Sequence, residues 1–503
     1  MNTGENLPDS SHTQPGRSLD LAFCVCALAA LLPIWTVKYL PMTDLPQHAA
    51  QIFMWSHIND PGLRLRDTYE LNWFTPYLLG YATVGVLGWL MPLFVALKVV
   101  ITLSVLGTPA ALRHLLRTAD ANQWWSLLGF PAAFGFSFYW GFLNYLVAIP
   151  LGLLFLALVV RHGRSPSKRT STLVAASALL LLVAHVLVLG ICGLAACCIV
   201  IANTSSRRER MLRLLPLAAP VLLVGAWSVT TRARESQVSV PTVWNVGLFR
   251  IFELPALIFA VPDRQQAVAA FGLAVGLAVI AGGRVARQRW RWLPLVATLV
   301  VFLLAPHRGF GTYFLYQRFA VWVLLFGVLA IDADGKRLLR QKLFHVSLAL
   351  LVVVWLMALA VRHQAVDVDA RQFDGLLTKM EPNKRVLSLS FLRENERVIG
   401  APFLHFPAWY QAEKGGVLGF SFAVFFPEIV RYRPGHAPRM TMHLEWEPQL
   451  FQWARDGDYD YFVVHAATDL GRVLFARANA PVTLELQAGR WWLYRKRVPG
   501  GRE

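Results

Sequence analysis

LAFCVCALAALLPIWTVKYL, residues 21–40, contains one charged side chain, Lys38. A helix needs about 20 apolar residues to cross a bilayer, because only a helix satisfies its own backbone hydrogen bonds in hydrocarbon. The segment is therefore predicted to be a transmembrane helix. Residues 1–20 are polar and rich in Ser, Pro and Gly, which predicts a disordered cytoplasmic leader. The leader lacks the features of a signal peptide, so the first helix is expected to stay as an anchor.

The rest of the chain has the composition of a polytopic membrane protein. Of its 503 residues, 56% are hydrophobic and 16% charged, and the mean hydropathy is +0.46, too apolar for a soluble fold of this length. The net charge is +18, yet most Lys and Arg residues before the C-terminal tail lie in short clusters between apolar runs. This pattern is typical of cytoplasmic loops and argues against a nucleic-acid partner. The five cysteines lie in apolar segments, so no disulfide framework is expected.

The basic clusters predict the topology. Cytoplasmic loops carry an excess of Lys and Arg, and five such loops are marked by Arg113 and Arg117; Arg161, Arg164, Lys168 and Arg169; Arg207, Arg208, Arg210 and Arg213; Arg284, Arg287, Arg289 and Arg291; and Lys336, Arg337, Arg340 and Lys342. Eleven transmembrane helices fit around them, at 21–40, 93–112, 124–140, 143–160, 171–187, 189–203, 212–231, 265–283, 292–306, 318–332 and 343–361. This odd number places the N-terminus inside and residues 362–503 outside.

Three apolar stretches need a separate interpretation. Residues 73–91 are predicted to lie at the outer interface or to re-enter the membrane, because a crossing there would reverse the topology. Residues 247–261 receive the same prediction because the stretch carries Arg250 and Glu253 and ends near Pro262. Residues 171–203 are predicted to form a hairpin of two helices. A single helix of that length would extend about 50 Å at about 1.5 Å per residue, and one basic loop would then lie on the wrong side.

Residues 362–503 are predicted to form a small α/β domain outside the membrane. KRVLSLSF (384–391) and YDYFVVH (459–465) have the composition of strands. The stretch 482–497 alternates apolar and polar residues and predicts a hairpin around Ala488 and Gly489. Residues 445–456 are predicted to form a helix that leads into the second strand.

The first outer loop, residues 41–72, contains TDLPQH (43–48) directly after the first helix. One interpretation is structural: Asp44 caps a helix and Gln47 completes an Asp-x-x-Gln capping box. Another is chemical, because His48 lies one helical turn after Asp44. A carboxylate beside an imidazole can accept a proton from a hydroxyl or hold a divalent cation.

This arrangement resembles the GT-C superfamily of integral membrane glycosyltransferases. The resemblance rests on the first helix with its acidic outer loop, about ten further helices, and a tail with HFPAWYQAEKGG (405–416), YDYFVVH and the closing RWWLYRKR. It implies that residues 21–361 form a GT-C-like transmembrane domain in a bacterial cytoplasmic membrane. It also implies a polyprenyl-phosphate sugar as donor and a glycan, lipid or protein as acceptor.

The resemblance further implies roles for individual residues. Superfamily members carry one or two acidic residues in the first outer loop, with the general base among them, and the single Asp44 matches by position. Transfer of a hexose or pentose to a hydroxyl would then proceed with inversion, with His48 beside the base. The leaving phosphate needs cations, and the candidates near the outer side are His307, Arg308, Arg318 and Lys98. Alternatively, Arg308 and Arg318 anchor the ends of their helices at the membrane interface, and the Lys98 side chain extends along the helix to place its charge at the interface.

Two further residues complete the candidate site. His185, at the predicted hairpin tip, resembles a histidine that ends an outward turn in the superfamily, with a structural role as the alternative. Glu253 is a candidate for a second carboxylate, or for an ion pair with Arg250. No cysteine and histidine spacing typical of a zinc site is present, so the cofactor stays unknown, with a divalent cation as one option.

Two other classes of function remain compatible with the sequence. A lipid or polysaccharide transporter or flippase should carry ionisable residues near mid-membrane and internal repeats. A non-catalytic envelope scaffold should tolerate substitutions throughout residues 43–48.

Overall fold

The computed structural model describes residues 16–232, 241–309, 311–333, 338–439, 441, 443–479 and 481–497. Most of the predicted leader, and the predicted cytoplasmic residues Lys336 and Arg337, lie outside these ranges. Within these ranges, five helical segments are long and apolar enough to cross a membrane: Arg17–Trp35, Leu93–Thr118, Leu143–Arg164, Arg207–Thr230 and Arg340–Lys379. Shorter helices among them are Leu78–Leu87, Lys168–Ala184, Val186–Ala202, Phe249–Phe259, Arg264–Ile280, Arg289–Leu304 and Ala320–Leu329.

The first helix is fixed against the long helix Leu338–Ala370. Asp367 accepts hydrogen bonds from the backbone N–H groups of Lys38, at 2.8 Å, and Tyr39, at 2.7 Å. These two groups lie just beyond the end of the first helix, where backbone N–H groups need partners outside regular structure. The chain that leads into the first outer loop is thereby held in one position.

The predicted hairpin of residues 171–203 is present as two helices separated by His185. The side chain of His185 accepts a hydrogen bond from the Leu187 N–H at 3.3 Å, so it caps the second helix. Its ring lies 5.0 Å from that of Tyr145, at the start of the helix Leu143–Arg164. Arg213, which follows the second hairpin helix, donates to the Gly163 carbonyl at 2.5 Å. Gly163 lies at the C-terminal end of the helix Leu143–Arg164, far from Tyr145 at its start. The two helices therefore form a hairpin with His185 at its tip.

The predicted continuous span 124–140 is wrong. The chain forms a 3-10 helix, Gln123–Leu128, and two short helices, Gly129–Ala133 and Phe136–Tyr139. Pro131 lacks the N–H that a continuous helix needs. Gly129 packs directly on the backbone of Pro109, where a side chain would clash.

Two predicted boundaries are also wrong by several residues. The first helix begins at Arg17 and includes part of the predicted leader. The long helix Leu338–Ala370 continues past 362, where the predicted outer domain begins. The helices within 73–91 and 247–261 have 10 and 11 residues. At about 1.5 Å per residue they are too short to cross an apolar core of about 30 Å.

The C-terminal region contains a mixed sheet of five strands. Its order across the sheet is Val482–Ala488, Trp491–Lys496, Tyr461–His465, Arg385–Ser390 and Val417–Leu418, antiparallel among the first three and parallel among the last three. The predicted strands and the hairpin are confirmed, and Gly489 in its turn has a φ of +57°, which suits glycine. The short helices Phe373–Lys379 and Ala408–Lys414 flank the sheet.

The predicted helix 445–456 is wrong. This segment contains a 3-10 turn, Pro448–Leu450, and one helical turn, Trp453–Asp456. Pro448 cannot donate the backbone hydrogen bond that a helix through this point would require.

The first outer loop pairs with the C-terminal region. Tyr69–Leu71 forms an antiparallel pair with Val430–Tyr432. Asn72 donates to the carbonyl of Phe426 at 2.8 Å, and Gln51 accepts from the Val430 N–H at 2.9 Å. Two segments more than 350 residues apart are therefore joined beside the helix Leu45–Ser56 that follows Asp44.

Candidate active site

A cavity of about 200 Å³ lies where the first outer loop, two membrane-region turns and the C-terminal region meet. We call it the central cavity. Its polar lining residues are Asp44, His48, Tyr77, Asn144, Tyr145, His185, Thr312, Tyr313, Arg318, His405, Glu428, His443 and Glu445, and its aromatic residues include Trp140, Phe142, Phe314, Phe420, Phe422, Phe425 and Trp446. Four of the predicted site residues, Asp44, His48, His185 and Arg318, therefore lie around one space.

Asp44 precedes the helix Leu45–Ser56 and faces the central cavity. Its carboxylate makes no capping hydrogen bond, so the predicted capping box is wrong. Oδ1 instead lies 3.5 Å from Nε2 of His405. The backbone N–H of Asp44 donates to the Trp140 carbonyl at 3.1 Å. Gly141, with a φ of +76°, lies so close to this backbone that any side chain would clash.

The surroundings of Asp44 favour its protonated form. Burial raises the pKa of Asp44 to about 8, with the Glu428 carboxylate raising it further and the Arg318 cation lowering it. The pKa of His405 is lowered to about 3 by burial and by His48. His405 is therefore neutral, and its contact with Asp44 is not an ion pair. A carboxyl group with a pKa near neutrality is suited to act as a general base.

His48 belongs to a second polar cluster in the cavity wall. Its Nδ1 lies 2.6 Å from Oη of Tyr81, which donates to Glu428 at 2.7 Å. Burial and Arg318 lower the pKa of His48 to about 3, so it too is neutral. Burial raises the pKa of Glu428 to about 7, against the effect of the Tyr81 hydrogen bond. Glu428 thus adds a second carboxyl group to the site, from the C-terminal region.

Gln47 joins the first outer loop to the C-terminal region. Its side-chain amide donates to the Phe420 carbonyl at 3.2 Å, and its oxygen accepts from the Phe422 N–H at 3.0 Å. It is buried and does not line the central cavity. Its contacts hold two aromatic wall residues in place.

Arg318 adds a cation to the lining of the central cavity. Its guanidinium carbon lies 3.4 Å from the ring centre of Phe142, and Nη2 donates to the Tyr313 carbonyl at 3.3 Å. Its Nε is buried without a hydrogen-bond partner among the described residues. Such a donor facing a cavity is available to an anionic ligand.

The other predicted phosphate ligands do not line the central cavity. His307 and Glu253 face a separate open cavity, where Glu253 accepts from Tyr316 at 2.7 Å. Arg308 lies in the short hairpin beside Tyr313. Lys98 is buried and donates to the Val37 carbonyl. The predicted cluster of four phosphate ligands is thus reduced to Arg318 within this cavity.

Sequence reasoning missed several polar residues of the cavity, among them His405, Glu428, His443 and Glu445. His405, Glu428 and Glu445 all come from the C-terminal region, far from Asp44 in sequence. His405 belongs to HFPAWYQAEKGG, which the resemblance drew attention to without assigning a role. Among the residues that the structure describes, no group of three or more His, Cys, Asp or Glu side chains is arranged to hold a metal ion.

The chain has the GT-C fold. No protein-family model matches it, and no curated protein sequence does either. Among solved structures, it is similar to ArnT from Cupriavidus metallidurans bound to undecaprenyl phosphate, with a TM-score of 0.56 and 11% identity over 97% of this chain and 98% of that one. The apo state of the same protein gives a TM-score of 0.57 at 10% identity over 95% and 97%.

A second similar structure is the arabinofuranosyltransferase AftD from Mycobacteria. It gives a TM-score of 0.53 and 13% identity over 95% of this chain and 40% of AftD. These likenesses confirm the predicted GT-C fold, while the number of membrane crossings stays a prediction. At such low identity they show the fold alone, and the activity has to be argued from the site.

Proposed function

We propose that this protein is a membrane glycosyltransferase that moves a sugar from a polyprenyl-phosphate donor to an acceptor hydroxyl. The observation that carries the proposal is the position of Asp44 and Arg318 on one cavity beside apolar helices. A carboxyl group that can take a proton and a cation that can bind a phosphate are the two groups that this transfer requires. ArnT, which has the same fold, is described as bound to undecaprenyl phosphate.

Asp44 acts as the general base. The acceptor hydroxyl loses its proton to the carboxylate as its oxygen attacks the anomeric carbon, and the bond from that carbon to the phosphate oxygen breaks. Attack opposite the departing phosphate inverts the anomeric centre. The raised pKa of Asp44 makes its carboxylate a stronger base than an exposed aspartate.

Arg318 binds the donor phosphate and stabilises its charge as it leaves. Its planar guanidinium can donate two parallel hydrogen bonds to phosphate oxygens. Stacking on Phe142 fixes the plane of the group before the ligand arrives. His185 and Tyr145 border the same space at the tip of the helical hairpin, where they can contact the lipid phosphate.

The basic clusters predict that this reaction takes place on the extracytoplasmic face of a bacterial cytoplasmic membrane. The donor lipid would reach the cavity from the bilayer, and a glycan, lipid or protein acceptor would reach it from the outer side.

The test is a comparison of Asp44→Asn with Asp60→Asn in reconstituted vesicles. The vesicles carry undecaprenyl-phosphate hexoses or pentoses, and an envelope fraction supplies acceptors. Asp60 lies in the same outer loop but is exposed, so its variant should keep wild-type transfer. Asp44→Asn should lose at least about 100-fold in rate, within the range for a general base. An active Asp44→Asn variant would remove Asp44 from the mechanism, and lipid movement without glycosidic bond formation would support a transporter.

A further inference from the structure

An aromatic wall forms one side of the central cavity. It consists of Phe314, Trp140 and Trp446, with ring centres 4.1 Å apart for Phe314 and Trp140 and 6.1 Å apart for Trp140 and Trp446. Phe314 and Trp140 come from the membrane region, and Trp446 comes from the C-terminal region. The wall therefore crosses the junction between the two parts of the chain.

The wall is held in place by specific contacts. The Trp446 carbonyl accepts a hydrogen bond from Arg393 at 2.6 Å, and the Trp140 carbonyl accepts one from the Asp44 N–H at 3.1 Å. Phe314 has a φ of +56° and His443, near Trp446, a φ of +65°. Non-glycine residues rarely adopt these values, and such strain is concentrated at ligand sites.

Glu445 lies beside this wall and has an unused acceptor. The side chain lines the central cavity, and its Oε2 is buried without a hydrogen-bond partner among the described residues. Buried polar atoms in native proteins are nearly always paired, so an unpaired acceptor on a side chain that lines a cavity is suited to a ligand with a donor group. Burial raises the pKa of Glu445 to about 7, which reflects the same lack of solvation.

The wall is adjacent to Arg318. The Arg318 side chain contacts the Phe142 ring and the Tyr313 carbonyl, and these residues are close in sequence to Trp140 and Phe314. All of these residues line the central cavity, so a group attached to a phosphate at Arg318 can reach the aromatic wall. In the donor proposed above, that group is the sugar.

We propose that Trp140, Glu445 and Trp446 form a subsite for the donor sugar, and that this subsite selects an uncharged sugar with free hydroxyl groups. The inference rests on the proposed function. Glu445 accepts hydrogen bonds from sugar hydroxyls, and the aromatic faces pack against the apolar C–H face of the ring. A uronate is disfavoured because the ionised Glu445 carboxylate accepts hydrogen bonds but cannot donate one, so a sugar carboxylate placed beside it would meet a like charge and no donor.

The test measures binding of three lipids to the full chain in nanodiscs: undecaprenyl phosphate, its hexose conjugate and the corresponding uronate conjugate. Wild type should bind the hexose conjugate about 10-fold more tightly than the other two, as expected for hydrogen bonds to a charged group. Glu445→Gln should lose this preference and keep its affinity for undecaprenyl phosphate. Glu447→Gln, two residues away and exposed, is the matched control and should keep both.

The outcomes separate this inference from the proposed function. A Glu445→Gln variant that retains the preference, together with a Trp446→Leu variant that also retains it, would overturn the subsite. Equal binding of the three lipids by wild type would overturn the subsite and leave the lipid phosphate site intact. Failure of wild type to bind any of the three would overturn both proposals.

Discussion

The carboxyl group of Asp44 predicts how transfer should depend on pH. With a pKa of about 8, Asp44 is largely protonated at neutral pH, and only the ionised form can accept a proton. The rate should therefore rise about tenfold per pH unit up to about pH 8 and then level off. Glu428, with a pKa raised to about 7, shares the cavity, so the observed midpoint belongs to the pair.

Glu428→Gln provides the sharper form of this measurement. The Glu428 carboxylate raises the pKa of Asp44, so its removal should shift the rise in kcat/KM to lower pH. Profiles of both proteins would be recorded between about pH 5.5 and 9.5, where the fold must first be checked by circular dichroism. A flat wild-type profile would argue against an aspartate base with a raised pKa.

The same carboxyl group should cost the protein stability. The folded protein holds a proton on Asp44 up to about pH 8, whereas the unfolded chain releases it near the ordinary value of 3.8. Stability is therefore lost as the pH rises from about 4 to about 8. Asp44→Asn removes this loss and should be more stable than wild type at pH 7, by no more than roughly 4 kcal/mol.

Thermal unfolding in detergent at about pH 5 and pH 8 would measure this effect. The advantage of Asp44→Asn over wild type should grow between the two pH values, while the exposed Asp60→Asn should show no such growth. If the stability difference between Asp44→Asn and wild type is the same at both pH values, or smaller at pH 8, Asp44 is not buried as a protonated acid. Gain of stability with loss of activity is the pattern expected of a functional residue.

The helix Leu45–Ser56 depends on the C-terminal region for its position. Gln51 accepts from the Val430 N–H inside the protein, at 2.9 Å. Gln51→Leu keeps the size of the side chain and leaves that N–H without a partner, which costs about 1–3 kcal/mol. It also removes the Gln51 Nε2 donor, which is buried without a partner among the described residues, so the free energy of unfolding should fall by about 1 kcal/mol, the lower end of that range. Transfer should fall too, because the helix carries Asp44 at its start. Gln449→Leu, at an exposed site, is the control, and equal unfolding midpoints for the two variants would contradict this role.

Element by element, the sequence predicts what local patterns determine. Long apolar runs predicted the helices, and strand-forming composition predicted Arg385–Ser390 and Tyr461–His465. Alternation of apolar and polar residues predicted the hairpin of Val482–Ala488 and Trp491–Lys496. The break between two helices within residues 171–203 was predicted from the basic clusters on both sides and from the length of the apolar stretch. The helix predictions failed at 124–140, where the helix breaks between Ala133 and Phe136, and at 445–456, where Pro448 begins a 3-10 turn. Helix propensity alone does not decide the backbone hydrogen bonds at these points.

Across the whole molecule, the candidate site depends on contacts that no local pattern specifies. Asp44 and Arg318 could be chosen from sequence because each follows or opens an apolar run at the predicted outer side. His405, Glu428 and Glu445 lie in a region whose tertiary packing alone brings them to the cavity. The pairing of Tyr69–Leu71 with Val430–Tyr432 makes this packing possible, and neither strand is long enough to be recognised by alternation.

The orientation of the molecule in the membrane is testable with single cysteines. The basic clusters predict that the loop before Arg207 is cytoplasmic and that the C-terminal region is outside. Ser205 and Thr468 are exposed in these two regions. In a variant without the native cysteines, Thr468→Cys should react with a membrane-impermeant maleimide in spheroplasts, and Ser205→Cys should react only after permeabilisation. The central cavity opens between the C-terminal region and the membrane helices, so the reverse labelling would put Asp44 on the cytoplasmic side and contradict an extracytoplasmic transferase.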